Sequence, residues 1–179
     1  MTLSLAYVFL GVALLVPGTA LLSGSAFMTN KLRTFHRSTI AGVLFFGGAA
    51  AWFIWILYNL SDSDLAGLPR NWMLVFFGAT ALLAFRFLRD LIAIRGIAAL
   101  ILLSSRELLD VAYMQQPYSL VLASTTYLLI VLSIICGALP YVFHNWLDWT
   151  LSHRIRSVIA GSGISLVGAI NITCAFLTP

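Results

Sequence analysis

Residues 91–116, LIAIRGIAALILLSSRELLDVAYMQQ, decide how the chain is organised. At about 1.5 Å of rise per residue the segment is long enough to cross a bilayer as one helix, yet it carries Arg95, Arg106, Glu107 and Asp110. With Arg95 at one interface, Arg106 and Glu107 fall at the midplane and Asp110 about 6 Å beyond it. At about 100° per residue, Arg95, Ala99, Leu102, Arg106, Asp110 and Tyr113 form one stripe. Ile94, Ile97, Ile101 and Leu108 lie on other faces. Each intramembrane charge costs roughly 2.5–3.5 kcal/mol on insertion scales. The stripe is therefore expected to face protein or water, and the isoleucine face to meet lipid.

The rest of the chain supplies the setting. Of its 179 residues 61% are hydrophobic and 9% charged, against roughly 25% charged in ordinary globular domains. This reads as a single integral membrane domain over residues 1–179, with no room for a separate soluble one. The formal net charge is +4, but the basic residues stand singly between apolar runs. They read as topology signals and not as a nucleic-acid surface.

Met1 to Leu22 is apolar without a preceding Lys or Arg, and is read as an uncleaved first helix. The basic segment Lys31 to Arg37 follows. A second helix covers about Ser38 to Leu60, with Trp52, Trp55 and Tyr58 at its interfacial end. An acidic turn from Ser61 to Pro69 leads to a third, about Asn71 to Phe87. The opening stretch is the fourth, stopped at Pro117, and the fifth runs from about Tyr118 to Pro140. Residues 144–156 form an amphipathic connector along the interface, and the sixth helix spans about Val158 to Phe176.

This scheme places Lys31, Arg33, Arg37, Arg86, Arg89, Arg95, Arg154 and Arg156 on the cytoplasmic side, Arg70 outside and Arg106 within the membrane. A five-helix alternative lays residues 86–116 on the surface and sends Arg154 and Arg156 outside, against the charge rule. The expectation is an all-α polytopic transmembrane bundle of six helices in a bacterial inner (plasma) membrane, with both termini outside. Cys136 and Cys174 fall near opposite faces, too far apart for a disulfide.

Candidate working residues follow from depth. Arg106 and Asp110, at i and i+4, are expected to pair within the helix, leaving Glu107 in need of a proton or another partner such as Arg70. Thr125, with Ser124 and Thr126, and Asn171, with Thr173, fall at similar depth and are expected to line a polar cavity. Arg95 and Arg70 are the gates or counter-charges. The bland alternative is a buried ion pair that fixes packing or docks a subunit.

Gly161, Ser165 and Ala169 mark a small-residue face for helix packing, within the chain in preference to a dimer. His36, His144 and His153 fall on inner loops, so no haem or metal is expected. The sole lysine, Lys31, lies in a loop, and no phosphate-binding loop, zinc motif or C-x-x-C pair occurs. No cofactor is implied, and nothing in the sequence points to an enzyme. The leading functional reading is a transporter or channel-like protein, or the membrane subunit of a transport system. The alternatives are a structural subunit of a larger membrane complex and, third, an intramembrane enzyme. Expected partners are the lipid bilayer, a second copy or a larger membrane complex, and no nucleic acid.

Overall fold

The computed structural model describes residues 2–24, 39–61, 63–65, 67–87, 92–113, 115 and 119–177. The basic segment 31–37, Arg89, Asp62, Gln116 and Pro117 lie outside the described residues. Within them the chain is all-helical: α1 (Leu3–Ser23), α2 (Thr39–Tyr58), α3 (Arg70–Phe87), α4 (Ile92–Ala112), α5 (Leu120–Ala138), α6 (Pro140–Leu151) and α7 (Arg154–Leu177).

Four of these, α1, α2 from Ile40, α5 and α7, are long and apolar enough to cross a membrane. The count of six is therefore not matched. The two remaining long helices fall short because α3 carries Arg70 and Arg86 and α4 carries four charged residues. The amphipathic connector is itself a helix, α6, which starts at Pro140 because a proline at the first helical position lacks only an N–H that would go unpaired anyway. Arg154 and Arg156 belong to α7 and not to the connector.

Local signals set the ends of α1. The Thr2 hydroxyl accepts from the Leu5 N–H at 3.4 Å, satisfying one of the amides that a helix start leaves unpaired. Gly24, at φ +56°, closes the helix in the left-handed conformation.

Glycines then bring the helices together. A methyl carbon at Gly168 would lie 3.0 Å from the Gly11 carbonyl oxygen, and one at Gly161 would lie 2.9 Å from that of Gly18. Gly11 and Gly18 on α1, and Gly161 and Gly168 on α7, are seven residues apart and so return to the same face after two turns. The two helices run antiparallel with backbones in contact, and the Ser157 hydroxyl donates to the Leu21 carbonyl at 2.8 Å to close one end. The small-residue face thus packs within the chain, but its members are Gly161, Ser165 and Gly168; Ala169 is exposed. On α4, Gly96 lies against the Phe45–Phe46 backbone of α2.

These contacts fix helix directions. Gly42 meets Ile92 while Gly96 meets Phe46, so α2 and α4 run parallel. Phe46 meets Phe85 and Phe53 meets Phe77, with ring centroids 5.2 and 5.0 Å apart, so α3 runs opposite to α2. Gly137 packs on Ala98, and Leu108 shares a core with Leu122, so α5 runs opposite to α4. One end of the bundle collects Leu3, Tyr7, Leu108, Ala112, Leu122 and Ala175 into the apolar core. Cys174 packs against that core, while Arg154 stands beside Gly24 at the other end.

Candidate functional site

The buried face of α4 is Ile92, Ala93, Ile94, Gly96, Ala98, Ser105, Leu108 and Ala112. This reverses the expected orientation: Ile94 and Leu108 point into the bundle, whereas Arg106, Glu107 and Asp110 are exposed and Arg95 is half-buried. The physical reason is that the same helix must bury its small and aliphatic side against α2 and α5, which leaves the charged flank outward.

Depth changes as well. The observed helix ends at Ala112 and is centred on Leu102, so Arg106 stands about 6 Å and Asp110 about 12 Å from its midpoint, toward the Leu3 end. No salt bridge joins Arg106 to Asp110 among the described residues, so the expected pair within the helix is not formed. Arg70, at the start of α3, gives one guanidinium N–H to the Leu60 carbonyl at 2.7 Å, tying the α2–α3 turn to the helix that follows.

Thr125 and Asn171, separated by 46 residues, do come together. Asn171 Nδ2 donates to Thr125 Oγ1 at 3.3 Å and to the Val167 carbonyl at 2.9 Å. Asn171 is fully buried, and its Oδ1 has no hydrogen-bond partner among the described residues. Thr125 and Thr126 donate to the carbonyls of Val121 and Leu122 in their own helix. Ser124 and Thr173 are exposed on the outside of the bundle. The hydroxyls expected to share one cavity are thus divided between core and periphery.

No family model, curated protein or solved structure matches the chain. Its chemistry has to be read from its own side chains. Tyr7, missed by the sequence reading, is fully buried, and its hydroxyl accepts from the Leu122 N–H at 3.2 Å. That amide lies in the first turn of α5, where no intrahelical partner exists, so α1 caps α5 through a side chain. The available signal was a phenol in an otherwise apolar run, since a buried tyrosine hydroxyl needs a polar partner.

His144 stands 3.4 Å from Asp148 on α6, while Arg156 of α7 stacks 4.6 Å over the Trp149 ring, a cation–π contact between the short helix and its successor. Two apolar grooves open on the flanks of α4. One, of about 350 Å³, lies between α2, α3 and α4; the other, of about 300 Å³, lies between α4, α5 and α6. These surfaces suit hydrocarbon or apolar side chains.

Proposed function

We propose that this chain is a six-span membrane subunit that joins a larger assembly through the charged flank of α4. The observation that carries the reading is the exposure of Arg106, Glu107 and Asp110 on a helix whose opposite side is buried. Hydrocarbon is a poor neighbour for that flank, at roughly 2.5–3.5 kcal/mol per charge near a membrane centre, whereas a partner with complementary groups satisfies it. Six crossings are supported by the alternating directions of α1, α2, α3, α4, α5 and α7. Arg86, Arg95, Arg154 and Arg156 all fall at the end away from Leu3, which the charge rule reads as cytoplasmic, with both termini opposite.

A transport role has one supporting feature of its own, the buried Asn171 Oδ1 beside Thr125. On that reading the path of an ion or small polar solute runs between α5 and α7, past this site.

Photo-crosslinking from position 107 in native membranes tests the subunit reading. A discrete protein adduct, lost when Arg106 and Asp110 are both replaced by leucine, is the expected result. Labelling by lipid alone would overturn it. Impermeant labelling of single cysteines should reach position 115 from outside and not position 154; the reverse pattern defeats the six-span topology. Proton or cation flux through reconstituted vesicles, unchanged by Asn171→Leu, would remove the transport role for those ions.

A further inference from the structure

The groove between α2, α3 and α4 has walls of one kind and an end of another. Ala50, Phe53, Thr80, Ala84, Ala99 and Leu102 are among its lining residues, and the opening exists because α3 packs chiefly against α2 and buries none of its own side chains. Small residues on all three helices keep the space clear, and nothing polar beyond the Thr80 hydroxyl enters, which itself donates to the Phe76 carbonyl.

Arg95 stands one helical turn before Ala99, on the same flank of α4 as Leu102. It is half-buried, and its Nε is buried with no hydrogen-bond partner among the described residues. Gly96 and Phe85 both meet Phe46 of α2. Arg95, next to Gly96, therefore stands at the Phe46 end of the groove, whereas Arg86, at the same height, projects from the face of α3 opposite to the groove-lining Phe77, Thr80 and Ala84. A guanidinium group at one end of a hydrocarbon-lined groove matches a molecule with an anionic head and an apolar tail, and a buried guanidinium N–H lacking an acceptor is costly until one arrives.

We infer that this groove holds an acyl chain of an anionic phospholipid, with the phosphate bound by Arg95. The arginine end coincides with that of Arg154 and Arg156, so the lipid belongs to the leaflet on the basic side, where anionic headgroups gather against basic residues. The inference rests on membrane insertion but not on the partner proposed for the α4 charges, which lie toward the opposite end.

The test uses the full-length protein in a neutral detergent, titrated with phosphatidylglycerol or with phosphatidylcholine of identical chains and read by native mass spectrometry. The wild-type protein should bind phosphatidylglycerol about tenfold or more tightly than phosphatidylcholine, the margin of a charge-assisted hydrogen bond. Arg95→Gln should abolish most of that preference, and Arg95→Lys should keep much of it. Thr80→Trp, at an exposed position, should weaken both lipids together by filling the groove without disturbing the melting temperature.

An undiminished preference in Arg95→Gln, or unchanged binding of both lipids to Thr80→Trp, overturns the assignment. So does a photo-crosslinker at position 80 that captures a polypeptide in place of lipid. If Arg95→Gln fails to accumulate, Arg95→Lys and Thr80→Trp still decide. A failed crosslink at position 107 leaves this titration unaffected, so the two readings fail separately.

Discussion

Alanine at Gly161 puts a methyl carbon 2.9 Å from the Gly18 carbonyl oxygen and 2.9 Å from the Leu22 nitrogen; at Gly168 the corresponding distances are 3.0 Å to Gly11 O and 3.1 Å to Leu15 N. All four neighbours are backbone atoms and cannot swing aside, so α1 and α7 must separate by several tenths of an ångström. Overpacking of this kind costs about 1–3 kcal/mol per site, set against a gain of about 1 kcal/mol from replacing a helical glycine with alanine. Gly48 and Gly163 provide the control, since a methyl at either meets nothing within 4 Å. Their double alanine variant should gain about 1–2 kcal/mol, while Gly161→Ala with Gly168→Ala should lose up to about 4. At about 2–4 °C per kcal/mol for a chain of this length, the two double variants should differ by roughly 2–24 °C in Tm. Thermal unfolding of detergent-purified protein reads the difference directly. Equal shifts in the two pairs would show that α1 and α7 do not meet through these glycines.

Tyr7→Phe removes the acceptor for the Leu122 N–H while keeping the ring, and should cost about 1–3 kcal/mol because the amide is buried; chemical denaturation measures the loss, and a wild-type midpoint would refute the capping role. Arg106→Leu and Asp110→Leu, singly or together, should leave the unfolding free energy of the isolated chain, read by chemical denaturation, within about 1 kcal/mol of wild type, since exposed side chains away from special features contribute little. A loss of several kcal/mol in either single variant, recovered in the double, would instead restore the ion pair within α4.

Much of the architecture was legible in the sequence because apolar length is a strong signal. The runs that became α1, α2, α5 and α7 carry few charges, and their limits shifted by a few residues at most. Boundaries moved where end chemistry competed with hydropathy: Pro140 starts a helix inside what had read as the end of the fifth one, and α7 begins four residues early at Arg154. The α1–α7 pairing was half legible. Gly161 and Gly168 are visible in the sequence, but their partners Gly11 and Gly18 lie at the other end of the chain, and a spacing of seven reveals a face without saying what covers it.

The charged stripe of α4 shows where periodicity stops being informative. Helical spacing correctly separates Arg95, Leu102 and Arg106 from Ile94 and Leu108, but one helix in isolation has no inside. Which face turns inward depends on neighbours that offer small residues and aliphatic contacts, here α2 at Gly96 and α5 at Ala98. Insertion cost alone argues for charges inward, yet it is an average over a membrane depth that the helix limits themselves determine. Once α4 ends at Ala112, Asp110 stands about 12 Å from the helix centre and Arg106 about 6 Å, so on the six-span topology proposed above the cost of facing outward falls from one residue to the next along the stripe. Arg106, the innermost of the exposed charges, then retains the greatest need for a neighbour, and it is the residue on which the partner proposed for this face should depend most.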